Sequence, residues 1–228
     1  MSPELQPWLR AAIGLLDVRR QDRLLAVDVG VDHARSLATL VGGHGSLTVV
    51  LGDRVAAEHV ASFELPQVTV LAHPLAGGEQ FGTFDALLLA PPTGPLLPPG
   101  AYGDLARANL RPGGRFVVDL PGADLVPDLT AVVQELGWPA NRVLPLQGIA
   151  DDQLAEVLRN AGLRSVSGVL GAHLLHLASP GDLVDGYADV LRLDEAERLQ
   201  LTHALVRRRK GTGPLDVLVH RTRLMGQR

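Results

Sequence analysis

The chain has 228 residues, of which 46% are hydrophobic and 20% charged, and its formal net charge is −4. That size and apolar share suit one α/β domain whose core needs no staples, and the apolar runs are too short to span a bilayer. The lack of cysteine excludes disulfides, iron–sulfur clusters, thiolate metal sites and cysteine nucleophiles, while the acidic balance and 4% aromatic content offer little to a nucleic-acid backbone or its bases.

The opening residues, MSPELQPWLR, hold an acid and two prolines where a secretory signal would carry basic and then apolar residues, so a cytoplasmic chain is expected. Residues 4–20 place Leu5, Trp8, Leu9, Ala12, Ile13, Leu15 and Leu16 at near-helical spacing, which predicts a leading amphipathic helix. Strands follow at 23–29 and 46–51. A helix near 32–40 and the stop Gly42-Gly43-His44-Gly45 separate them, making a β-α-β unit. A short helix is expected over 54–62, a third strand over 67–72 and a fourth over 85–90 (DALLLA), whose lack of alternation predicts burial on both faces.

Beyond the proline-rich 91–99, a helix over 102–110 and the tight break Arg111-Pro112-Gly113-Gly114 lead into a fifth strand at 115–120. Asp151 and Asp152 open a helix that Gly162 closes as a left-handed cap. The remainder predicts a strand over 165–177, helices near 180–191 and over 194–210, and a closing strand over 215–223. No repeat or linker divides the chain, so residues 1–228 are expected to form a single domain with 1–20 as its leading helix.

Residues 24–34, LLAVDVGVDHA, run from an apolar strand into an acid and a glycine. The segment LRPGGRFVV sets a glycine turn before a strand, and Ala161-Gly162-Leu163 ends a helix. In order and spacing these segments resemble the motifs of class I S-adenosylmethionine-dependent methyltransferases, and the likeness extends over residues 20–225. It implies a Rossmann-like, doubly wound, seven-stranded and mostly parallel sheet with an antiparallel C-terminal hairpin. It also implies S-adenosylmethionine as cofactor, while the acidic balance and sparse aromatics make a small molecule or a protein surface the natural partner, and a small-molecule methyl acceptor is expected.

Ligands of open parallel sheets bind beyond the carboxyl ends of the strands, and the candidate cofactor set gathers there: Asp28, Val29, Gly30, Asp32, Asp53, His73 and Ala90. Asp28 and Gly30 match the family's acid and first glycine, while Asp32 and Ala34 replace the second and third glycines with a charge and a methyl. The family's ribose-binding acid falls on Leu51. Asp53 could substitute if the strand is longer or bulged, or could instead cap the next helix. The adenine-binding acid falls on His73.

Ala90-Pro91-Pro92-Thr93 partly resembles the (N/D/S)PP(Y/F/W) signature of amino-group methyltransferases, but without its polar first residue or its aromatic last one a proline-rich turn is the better account. Phe81, Phe84 and Tyr102 could line a substrate mouth or belong to the core. A hydroxyl acceptor would need a general base, for which His33, His73 and Tyr102 are available. His173 and His176, three apart on a strand, point to opposite faces, so no metal site is expected. The basic run at 207–210 complements a helix C-terminus, with Gly211 as its cap.

Two functional classes follow. One is a small-molecule methyltransferase. The other keeps the fold without the transfer, as a structural or regulatory partner or as the receptor of a different ligand; Asp32, Leu51 and His73 speak for it. No catalytic residue is assigned, and a homodimer or another protein partner is left open.

Overall fold

The computed structural model describes residues 7–91, 97–169 and 171–228, except for the side chains of Pro7 and Asp32. Apolar runs that do not alternate need cover on both faces, and β1 (Arg23–Val27), β2 (Ser46–Leu51) and β4 (Phe84–Leu89) have it. With β3 (Val68–Ala72), β5 (Leu110–Pro121), β6 (Arg164–Val169), β7 (Ala172–Leu177) and β8 (Leu215–Gln227) they build one sheet in the order β3-β2-β1-β4-β5-β8-β6, with β7 also on β8. The first five strands are mutually parallel, and β8 runs antiparallel to β5, β6 and β7.

The eight strands are the expected seven with one of them interrupted. Ser167↔Met225, Val169↔Arg223 and Ala172↔His220 share a single register, so β6 and β7 lie on one line along β8. The expected strand over 165–177 is this line, and the closing strand is longer than expected because its partners extend along its whole length. Residues 215–220 of β8 run on past the carboxyl end of β5, paired with β7 alone.

Helices cover both faces. One apolar layer holds Trp8, Leu9 and Leu16 of α1 (Pro7–Leu16), Leu37 and Val41 of α2 (Val31–Val41) and Val60 of α3 (Arg54–Ala61). It continues through Leu129 and Val133 of α5 (Pro127–Glu135), Leu183 and Tyr187 of α7 (Pro180–Leu191) and Leu201 of α8 (Glu195–Arg209). The opposite layer is built by Leu105 of α4 (Pro99–Asn109) with Leu154 and Leu158 of α6 (Asp151–Asn160). Capping boxes start α7 (Ser179 with Asp182) and α8 (Asp194 with Glu197), which satisfies otherwise orphaned amides.

Some expectations are corrected. The leading helix ends at Leu16 and does not reach residue 20, because Asp17 takes a left-handed backbone and Arg115 binds the Leu16 and Asp17 carbonyls. Residues 111–114 are a bulged excursion within β5, since Phe84↔Leu110 is followed by Ala86↔Arg115. At the end of α8 the left-handed residue is Lys210 (φ 59°), one before the expected glycine. The helix α5 had no counterpart in the sequence pattern.

Candidate functional site

One residue beyond the strand ends, backbone hydrogen bonds tie four strands into a row. His73 N–H donates to Leu51 O (3.0 Å), Asp28 N–H to Val50 O (2.9 Å) and Ala90 N–H to Val27 O (3.1 Å). The fold thus brings His73, Asp28 and Ala90 to one edge, with Gly30 and the first turn of α2 beside them. Asp28 holds a left-handed backbone (φ 51°), which Asp tolerates better than most residues. Its Oδ1 accepts the Gly52 N–H at 3.1 Å, fastening the first-strand loop to the end of β2. Burial pushes its carboxyl above the usual range, and the Gly52 hydrogen bond opposes that rise.

Gly30 is the N-cap of α2, extended and without a side-chain cap bond, while its carbonyl accepts from His33 and Ala34. The first amides of a helix have no intrahelical acceptor, so this end of α2 can meet an anionic group. Val29 (2% exposed) and Ala34 are packed into the core, and His33 is buried as well. Asp32 lies in that first turn, with a side chain outside those described.

The β2 strand stops at Leu51, in regular register with both neighbours, and the Leu51 side chain is buried. Asp53 instead caps α3, its Oδ1 accepting the Val55 N–H at 3.0 Å. Asp53→Ala is expected to cost about 1 kcal/mol, seen as a lower urea midpoint at constant m; an unchanged midpoint would mean the cap bond contributes nothing. His73 is exposed, with its ring edge-on to Phe81 (5.7 Å). Of the other aromatics, Phe84 is core, and the Tyr102 hydroxyl accepts the Leu97 N–H at 3.0 Å. Burial raises the Tyr102 phenol above its ordinary value, so it keeps its proton and is no ready base.

A buried ionic cluster lies near this edge, at residues outside the expected site. Asp119 of β5 (0% exposed) accepts from Arg221 Nε (2.7 Å) and from Arg223 Nε (2.6 Å), both arginines being buried in β8. Arg221 also donates to Pro91 O (2.8 Å) and Asp119 O (2.6 Å), and Arg223 to Trp8 O (2.9 Å). The Arg221 guanidinium lies over the Trp8 ring at 5.2 Å. His173 meets Arg223 at 3.1 Å through Nε2, and burial lowers its affinity for a proton, so the ring accepts from the guanidinium. The available signal was the alternation Arg221-Thr222-Arg223 in an apolar strand, which puts both arginines on one face. His176, on the opposite face, pairs with Asp216 in the open. Arg208 and Arg209 pair with Glu135 and Asp128 of α5, so this part of the basic run braces two helices.

Pro92 and Thr93 lie outside the described residues. Among the described residues no helix is long and apolar enough to cross a membrane.

No family model matches the chain, and no curated protein does. Solved structures do. The YcgJ protein of Bacillus subtilis aligns over 97% of both chains at 14% identity and a TM-score of 0.61. A putative methyltransferase of Bacillus halodurans aligns over 96% of this chain and 97% of its own at 12% identity and 0.60. The 1,6-didemethyltoxoflavin-N1-methyltransferase of Burkholderia thailandensis, solved with its substrate and S-adenosylhomocysteine bound, aligns over 99% of this chain and 78% of its own at 17% identity and 0.52. Sheet order, helix layers and these likenesses together give the chain the fold of class I S-adenosylmethionine-dependent methyltransferases.

Proposed function

We propose that the protein is an S-adenosylmethionine-dependent methyltransferase acting on a small molecule, with the cofactor at the row formed by Asp28, Gly30, His73 and Ala90. The observation that carries this is the Asp28 turn: a half-buried carboxylate in a left-handed backbone, fastened to Gly52 beside an uncapped helix start. Strained backbone of this kind persists where the surroundings hold it, commonly at ligand sites.

The residues present fit the cofactor's anionic and polar ends better than its ribose. The α2 amides would receive a carboxylate. Asp28 would orient the loop through Gly52, and the buried Val29 and Ala90 would wall off water. S-adenosylmethionine when bound supplies a methyl group on a sulfonium that is already activated. The work left to the chain is alignment and exclusion of water, to which α1, Pro91 and Tyr102, tied down near the β4 end, would contribute.

A second function is favoured by the end of β2. Leu51 is buried and Asp53 serves its own helix, so the ribose hydroxyls lack the acid the family provides, and a protein of this fold without transfer activity would look the same there.

Calorimetric titration with S-adenosylmethionine and S-adenosylhomocysteine separates the two. Binding by the wild-type chain, weakened about tenfold, or ~1.4 kcal/mol, in Asp28→Ala, which removes the acceptor for Gly52 N–H, is the expected result. No heat with either ligand would reject the transferase and favour the second function.

A further inference from the structure

The segment 140–146, two short helical turns between α5 and α6, faces the end of α7 across a cleft of about 590 Å³. That volume is in the range that takes a small organic molecule, and the lining shares no residue with the row of Asp28, Gly30, His73 and Ala90. Leu144 (59% exposed), Pro145 and Val190 form its apolar wall, and Asn141, Arg142 and Arg192 its polar one.

Arg142 joins the two sides. Its Nη1 donates to Leu191 O and Arg192 O, both at 3.0 Å, and its Nη2 to Glu197 Oε1 at 2.6 Å. The cleft is therefore braced from behind before any ligand arrives, and the Arg142 charge is answered by Glu197. Arg192 differs. It ends α7 in a left-handed backbone (φ 52°), the place glycine usually takes, and among the described residues its guanidinium has no hydrogen bond or ion pair. Asp189, one turn back, is engaged by Arg198 at 3.7 Å.

We infer that this cleft binds an amphipathic monocarboxylate, with the carboxylate at Arg192 and the apolar body against Leu144, Pro145 and Val190. The site goes beyond the methyltransferase proposal and does not rest on it. Charge decides the head group: Arg192 leaves one positive charge to match, which a carboxylate meets through paired N–H donors and a phosphate monoester, nearly a dianion, would exceed. Asn141 adds an amide that can donate to the same group. The wall decides the body, because an anion without apolar surface would leave Leu144 in water.

Octanoate, 1-octanol and acetate, titrated calorimetrically into the full chain, separate the two contributions, since octanol lacks the charge and acetate the body. Octanoate is expected to bind at least about fivefold more tightly than either, and equally well with saturating S-adenosylhomocysteine present. Arg192→Gly should weaken octanoate about fivefold and leave octanol unchanged. Its thermal midpoint should hold or rise, because glycine adopts this left-handed backbone without strain. Leu144→Ser, at an exposed position, should weaken octanoate about threefold. Octanoate no tighter than octanol or acetate, or full octanoate affinity in Arg192→Gly, overturns the inference, and tighter binding of octyl phosphate overturns the carboxylate. Displacement of octanoate by S-adenosylhomocysteine would put it at the strand-end row and overturn the site. Failure of S-adenosylhomocysteine to bind counts against the methyltransferase proposal alone, and the probes and variants still read the cleft.

Discussion

Asp119→Ala is expected to destabilise the protein by about 3–5 kcal/mol, measured by urea denaturation, against a total stability of about 5–15 kcal/mol for an ordinary domain. Asp119 is fully buried and is the carboxylate shared by two buried guanidiniums, so its removal leaves two charges in the interior without their counter-ion. The effect should spread, because the same guanidiniums hold Trp8 O at α1 and Pro91 O at the end of β4. A useful contrast is Asp119→Leu combined with Arg221→Met and Arg223→Met. Replacing a whole buried ionic cluster by apolar side chains of similar size is often neutral or stabilising, so the triple variant should recover most of what the single one loses. A single-variant loss under about 1 kcal/mol would mean that the arginines reach water or another anion in the absence of Asp119.

Trp8→Ala should produce a loss of similar size, about 3–5 kcal/mol, through the cavity left by a large core side chain. Trp8 is 1% exposed, lies against Arg221, and has its ring centroid 6.2 Å from that of His173. It is the residue through which α1 meets the ionic cluster, so the damage should appear first as faster amide exchange in α1 and then as a lower urea midpoint. Trp8→Phe keeps an aromatic face for the guanidinium and should lose much less. Equal losses in the two variants would show that the indole's size, and not its contact with Arg221, is what matters.

Much of the fold was legible because its signals are local. DALLLA lacks alternation and becomes a strand buried on both sides, Gly162 ends its helix with φ 85°, and Pro180 lies at the first position of α7. The helix α5 was not legible. Its nine residues are held by packing and by the pairs from Arg208 and Arg209, partners more than seventy positions away. The candidate site divides in the same way. Asp28 and Gly30 could be recognised from their place after an apolar strand, whereas whether Asp53 faced a ligand or its own helix depended on where β2 stops.

The sequence by itself determined the order of the strands, the two-sided burial of the central ones and the position of the first-strand loop, because periodicity and turn chemistry act over a few residues. The tertiary structure decided that Asp119 faces Arg221 and Arg223 and that β6 and β7 share one register on β8. Those outcomes depend on the register of strands roughly fifty to a hundred residues apart in the chain, and register follows from how the whole core packs.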